Sequence, residues 1–374
     1  MTDNPGILIY LLAFLIVIGV LVFVHEMGHY LVGRWCGVKA ETFSIGFGKE
    51  IAGWTDKRGT RWKVCMLPLG GYVQFAGDMD PSGMKSKEWL NLPAAERNQT
   101  FQSKSLWKRA AIVFAGPAIN FIFAILIITG FVIAYGTSST LPVASAISEN
   151  STAAAIGMKP GDRVVSVDGE KIDLFEDLQQ KIILIPDQKV EIIYERDGQP
   201  IAKQGTIGVN IMKDRFGNEY RLGLLGMASS EVEWRDVSPI EAPVIAVEKT
   251  IGIVDQITTT LGQVITGKRS IKDLGGPLKI AQVSGEQFKL GLEAFILFVA
   301  LISINLGFIN LLPIPMLDGG HLMFYAIEAV RRKPASPKVQ EWAFRSGLAL
   351  VMVFMLVVTF NDLTSFGLFR SVTG

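Results

Sequence analysis

The chain has 374 residues, of which 49% are apolar and 19% charged, and its mean hydropathy is +0.35. That charge lies below the roughly 25% of a soluble domain and points to the membrane. A net charge of +1 excludes a general polyanion binder, so no nucleic-acid partner is expected. Two cysteines, Cys36 and Cys65, are too few for a disulfide framework.

In chain order, the first apolar run extends from Gly6 to about Leu31. No Lys or Arg precedes Arg34 and the run ends in Val-His-Glu, so residues 1–34 read as a retained membrane span rather than a cleaved leader. Residues 35–109 follow as a basic loop, with 13 Lys and Arg between positions 32 and 109. Within it, Thr42–Gly48 and Arg61–Phe75 alternate and are rich in β-formers and Gly, predicting short strands. Apolar strands beside a span predict a re-entrant β-element tucked against the bundle, because open sheet edges cannot face lipid. Residues 78–104 read as a polar surface loop.

The second span occupies residues 110–135. Residues 136–230 then hold a small β-rich domain, centred on 141–226, whose short apolar runs stop at Asp168-Gly169 and Asp197-Gly198. Residues 231–290 are a linker with an amphipathic helix at about 236–267, suited to a membrane interface rather than a span. The third span, Leu292 to Leu312, belongs to residues 291–330. Residues 331–374 form a turn and a fourth span at about Ala343–Phe360. The turn carries Arg331, Arg332, Lys333 and Lys338. Both basic loops are therefore expected in the cytosol, with the N-terminus and residues 136–290 outside. The fold class expected is a polytopic α-helical membrane protein of about four spans, with a re-entrant β-element and one external β-rich domain.

The sharpest chemical signal is His25-Glu26-Met27-Gly28-His29. Residues four apart share one helix face, so the two imidazoles can bind one zinc at about 2.0–2.1 Å. The Glu between them can serve as general base toward a water. The chain has only three His, two of them here, inside an apolar span where ionisable groups are costly. A hydrolytic zinc wants a third protein ligand and an open position. Asp318 is the candidate, in Asn310-Leu-Leu-Pro-Ile-Pro-Met-Leu-Asp-Gly-Gly-His321, where Pro313 and Pro315 break the helix and Gly319 and Gly320 loosen the backbone. A helix N-cap is the bland alternative for Asp318, and His321 is the rival ligand. Some 20 residues of helix, or roughly 30 Å, separate Gly6 from His25. The pair thus lies toward the cytosolic end of the first span, the depth at which the third span delivers Asp318. Asn310 could hold a scissile carbonyl or its oxyanion, or make an interhelical hydrogen bond. Asn305 reads as interhelical only. Asn120, in Gly116-Pro-Ala-Ile-Asn120, packs against the site or bonds between helices.

These motifs carry a resemblance. His-Glu-x-x-His in the first span, Asn-x-x-Pro-x-Pro-x-Leu-Asp-Gly in the third, Gly-Pro-x-x-Asn in the second and a PDZ-like Gly157-Met-x-x-Gly-Asp-x-Val together resemble the site-2 protease family. Within it, the chain is most similar to the bacterial regulator-of-sigma-E (RseP-type) proteases. The resemblance implies an intramembrane zinc metalloendopeptidase of the bacterial inner membrane, with a periplasmic PDZ domain and an active site near the cytosolic side. It implies Zn2+ on His25, His29 and Asp318, with Glu26 activating water and Asn310 positioning substrate. It further implies that the segment Phe43–Phe75, with Phe43, Gly46, Gly70 and Gly71 as candidate contacts, pairs with an unwound substrate strand. The implied partners are single-span anti-sigma factors or remnant signal peptides in the lipid bilayer, and an upstream site-1 protease. Some members carry two tandem PDZ domains, whereas residues 141–226 leave room for one.

Overall fold

The computed structural model describes residues 7–77, 92–183, 185–213, 219–267 and 275–365. Residues 78–91 of the expected surface loop thus lie outside the described residues. Helix α1 (Ile7–Trp35) leads into strands β1 (Ala40–Thr55) and β2 (Arg61–Phe75), a short α2 (Ala94–Arg97) and the long α3 (Leu106–Tyr135). There follow β3 (Thr137–Thr140), β4 (Ala146–Ile147), α4 (Thr152–Ala155), β5 (Arg163–Val167), β6 (Glu170–Lys171) and α5 (Phe175–Ile183). Next come β7 (Lys189–Arg196), β8 (Gln199–Thr206), β9 (Gly208–Lys213), β10 (Glu219–Leu224), β11 (Met227–Ala228) and β12 (Val232–Arg235). The chain continues with α6 (Ala242–Ile265), α7 (Pro277–Leu290), α8 (Leu292–Leu311), α9 (Asp318–Arg331) and α10 (Pro337–Ser365).

Helices α1, α3, α8 and α10 are long and apolar enough to cross a membrane. A helix satisfies its backbone internally, as hydrocarbon requires, apart from the one bond that Pro117 removes from α3. Leu8, Leu11, Leu12 and Leu15 on α1 and Leu350, Met352, Val353 and Phe354 on α10 all face outward. Water would oppose that exposure and lipid favours it, so the chain is a multi-pass membrane protein.

Two compact units divide the chain. The first contains Met1–Thr129, Pro243–Thr259 and Ile271–Gly374. Its helical core joins Ala13, Val17 and Leu21 of α1 to Phe295, Phe298 and Val299 of α8. Helix α7, which falls inside the expected linker, packs on α1 so tightly that a Cβ at Gly285 would lie 2.0 Å from the Tyr10 ring. Gly276 and Pro277 mark its start, and Asp362 of α10 caps it, accepting from the backbone amides of Gly276 (3.1 Å) and Lys279 (3.0 Å).

Strands form where they were expected, but as one long hairpin rather than two short strands. Its register shows that it is folded on itself. Residues 42–45 pair on one side with 61–64 and on the other with 71–74. Residues 50–55 pair in turn with 61–65. The strand order is therefore 50–55, 61–65, 42–45, 71–75. The corners fall at Gly46 (φ 90°), Gly48 (φ 86°) and Gly70 (φ 140°), backbone conformations that a Cβ disfavours. Phe43 lies at the centre, buried against the rings of Tyr30, Phe23 and Trp62.

The second unit contains Gly130–Ala242 and Thr260–Ser270. A four-stranded antiparallel sheet, ordered β6-β5-β7-β8, packs on α5 through Val164, Val167, Leu178, Ile182, Ile192 and Tyr194. Positive φ at Asp168 and Gly169, and again at Asp197 and Gly198, makes two tight hairpin turns where Asp-Gly pairs signalled them. The β12–β3 pair closes the base of this unit. Helix α5 was not foreseen from sequence. At nine residues, with one apolar face, it sits inside a segment dominated by strand signals.

Candidate metal centre

Three elements of the first unit meet at one point. Helix α1 presents His25 and His29, one turn apart, and α9 presents Asp318. The His25 and His29 Nε2 atoms lie 3.3 Å apart. The Asp318 Oδ2 is 3.2 Å from the first and 3.6 Å from the second. Zinc bonds of roughly 2.0–2.1 Å in a tetrahedron put neighbouring ligand atoms about 3.3–3.4 Å apart. The triangle of donors thus has the size of one face of a zinc tetrahedron, and the donor set, two imidazoles and one carboxylate, is the chemistry zinc selects. Among the described residues no fourth His, Cys, Asp or Glu joins the cluster.

Each imidazole is oriented by α3. His29 donates from Nδ1 to the Ile112 carbonyl at 2.9 Å. A carbonyl only accepts, so the proton is on Nδ1 and Nε2 keeps its lone pair for a metal. The His25 Nδ1 meets the Asn120 side-chain amide at 3.1 Å. The closeness of α3 depends on two glycines. A Cβ at Gly116 would stand 2.2 Å from the His29 Nε2, and one at Gly28 would stand 2.3 Å from the Ala115 carbonyl. Gly116 therefore belongs to the site. Its position in a Gly-Pro pair within an apolar span was the available signal, but that pair does not tell which side chain the missing Cβ admits.

Glu26 is 7% exposed and is turned about 100° from His25 around α1. That rotation carries it toward β2, where Val73 offers it a backbone amide. A Cβ at Gly71 would fall 3.0 Å from the Glu26 side chain and 2.6 Å from Val22, so β2 passes the acid at backbone contact. The strand segment 71–75 is the outermost of the folded hairpin on this side.

The segment carrying Asp318 is a sharp break between α8 and α9. Residues 312–317 leave helical geometry, and Met316 adopts φ 92°. The glycines around it act differently from the expectation that they loosen the chain. A Cβ at Gly319 would lie 2.2 Å from the Leu312 carbonyl, at Gly320 2.4 Å from that of Ile314, and at Gly347 of α10 2.2 Å from that of Pro315. They admit close backbone packing and so hold the break. Nor is Asp318 an N-cap, because α9 begins at Asp318 and Leu317 precedes it as cap. His321 packs its ring on Phe344, with centroids 5.0 Å apart, and is not among the clustered donors. Asn310 is half-buried in the last turn of α8, while Asn305 donates to the Leu301 carbonyl of its own helix. Phe43 has its side chain wholly in the core, and Gly46 and Gly70 occupy corners.

Comparison with known proteins gives the family. Residues 13–354 match the model of peptidase family M50. A protein of Agrobacterium fabrum described as a zinc metalloprotease is 43% identical, covering 95% of this chain and 96% of its own. Another so described, from Mesorhizobium japonicum, is 42% identical over 94% of this chain and 98% of its own. Metalloprotease MmpA of Caulobacter vibrioides is 35% identical over 99% of both. Among solved structures, the PDZ domain of an SdrC-like protein from Listeria monocytogenes covers 24% of this chain at 16% identity, with a TM-score of 0.19. The chain belongs to peptidase family M50, the site-2 protease family, and is a zinc metalloprotease.

Proposed function

We propose that this protease hydrolyses peptide bonds inside the membrane-spanning segments of other proteins, with His25, His29 and Asp318 as zinc ligands and Glu26 as general base. The observation that carries the proposal is the donor triangle between a membrane-spanning helix and α9, with a buried carboxylate beside it and a strand segment passing that carboxylate. Zinc bound there would supply a Lewis acid for water and for the scissile carbonyl. Glu26 would take the proton of the attacking water and deliver it to the leaving amine. Asn310 would donate to the carbonyl oxygen as charge develops on it. A substrate helix hides its peptide bonds in its own hydrogen bonds, so it must open before cleavage. Residues 71–75 would receive the opened segment as an added strand and bring its backbone to Glu26.

The same reading puts the protein in a bacterial inner membrane with its N-terminus periplasmic and its site near the cytosolic face. Exposed Trp35, Trp107 and Trp342 stand at the ends of α1, α3 and α10 that adjoin the basic loops, as an aromatic belt would. Residues 136–230 would form a periplasmic PDZ-like domain that receives peptide termini by strand addition. The substrates we favour are single-span proteins of the anti-sigma-factor type, already shortened by a site-1 protease, and remnant signal peptides. Co-expression of a single-span substrate with wild type or Glu26→Gln tests the proposal. The variant should retain one zinc per chain and lose cleavage by at least about a hundredfold, the span of general-base effects. Equal cleavage by both proteins removes Glu26 from the reaction.

A further inference from the structure

We infer that Asn120 is a positioning residue for the metal centre: its amide oxygen accepts the His25 Nδ1 proton and fixes the tautomer that turns Nε2 to the metal. The inference rests on His25 as a ligand and adds the group that orients it. Asn120 is completely buried on a membrane-spanning helix, where a side-chain amide is costly unless it is used. Its one side-chain hydrogen bond among the described residues is to His25, at 3.1 Å. As placed, the amide nitrogen faces His25, and among the described residues the amide oxygen has no partner. A purely interhelical role is already filled without the side chain, because Ser303 of α8 donates to the Asn120 backbone carbonyl at 2.8 Å.

The two ends of the amide differ by a half-turn about one bond and occupy equivalent places. With nitrogen toward His25, the ring would have to accept at Nδ1 and carry its proton on Nε2, which closes Nε2 to a metal. With oxygen toward His25, Nδ1 donates and Nε2 is free. A metal held by the His25 Nε2 together with the His29 Nε2, 3.3 Å away, and the Asp318 Oδ2, 3.2 Å away, requires the second arrangement. His29 obtains the same result from the Ile112 carbonyl, a fixed acceptor. Helix α3 thus orients both rings, one through its backbone and one through Asn120.

The test uses the full-length protein in detergent and measures zinc affinity by chelator competition, together with the visible spectrum of the cobalt-substituted protein. Asn120→Leu keeps the volume and the Ser303 bond but loses the acceptor. It should bind zinc 10–100-fold more weakly, as other outer-shell partners do, and change the cobalt spectrum. Asn120→Asp restores an acceptor and should bind within a few-fold of wild type. Ser303→Ala should lower thermal stability and leave affinity and spectrum unchanged. Wild-type affinity in Asn120→Leu overturns the inference, and so does an Asp variant as weak as the Leu variant. If the Leu variant does not fold, the Asp variant decides alone. A His25→Ala control that binds zinc like wild type would overturn the ligand assignment instead, which keeps the two failures distinct.

Discussion

At the scale of single residues, the site divides into side chains that announce themselves and residues whose part lies in what they lack. His25, Glu26 and His29 are legible because their spacing fits one helix face and because ionisable groups in an apolar run need a reason. Asp318 is legible because a carboxylate follows a broken span. Gly116 is not, since its contribution is an absent Cβ 2.2 Å from a nitrogen 87 positions away in sequence, from 29 to 116. That contact gives a sharp expectation. Gly116→Ala must push α3 from α1 or turn His29 off its Ile112 bond. Zinc content after dialysis against a weak chelator should fall by at least about tenfold, the lower range for disturbing a ligand's support. The helical circular dichroism should survive, because Ala is the better helix former. Full zinc retention would mean that the helices tolerate the separation, and that the close approach is packing alone.

Elements set the next level, and here the proposed third ligand depends on how α9 is anchored. Arg109 of α3 pairs with Glu328 of α9 at 2.8 Å, with 12% and 19% of the two side chains exposed, and its guanidinium lies over the Tyr325 ring. The pair ties the helix that begins with Asp318 to the helix that orients both imidazoles. Removing one partner strands the other charge, a change that costs about 3–5 kcal/mol when the pair is buried. Arg109→Ala should therefore lower the thermal midpoint in detergent, and Arg109→Ala with Glu328→Gln should recover part of the loss. No recovery in the double variant would show that the side chain's contact with Tyr325 matters more than the charge pair. The sequence does not announce this tie, because Arg109 counts there only among the loop's basic residues and its partner Glu328 is 219 positions away. The folded hairpin was half legible for a similar reason. Alternation gives strands, but a corner at Gly46 or Gly70 is decided by which strand lies on the far side.

The β-rich unit has its own electrostatic anchor, and its sign can be worked out. Asp162 is nearly inaccessible and accepts two bonds from Arg196, at 2.8 and 2.7 Å, while Arg196 also reaches the Gly157 carbonyl. The Arg196 bonds, ahead of the opposing cost of burial and the Lys159 amide, hold the Asp162 carboxyl below its ordinary range. A depressed carboxyl contributes stability that is complete above its unfolded value, about 3.9, and is lost as pH falls through the folded one. Hydrogen exchange of β5 and β7 in the whole protein should keep its protection from pH 7 to about 5 and lose it below about 4. Arg196→Leu should weaken protection at pH 7 and flatten that dependence. An unchanged profile in the variant would assign the acid loss to other groups.

For the whole molecule, the spans were the most legible feature and their direction the least, because hydropathy fixes that a helix crosses but not which way. The argument for direction is charge. The loop between α1 and α3 and the turn before α10 hold the clustered Lys and Arg, and short basic loops stay on the cytosolic side. The β-rich unit carries charges of both signs, and long segments cross irrespective of charge. On the proposed topology, helices that alternate through the bilayer put Lys203 and Lys333 on opposite faces. Both side chains are exposed, so each can be replaced by Cys in a Cys36→Ser, Cys65→Ser background. In cells with a permeable outer membrane, an impermeant maleimide should label Lys203→Cys at once and Lys333→Cys only after lysis. The reverse pattern would invert the protein, move His25 and Asp318 toward the outer face and require substrates cut from that side. Labelling of both without lysis would mean that α8 does not cross, and would overturn the proposed topology.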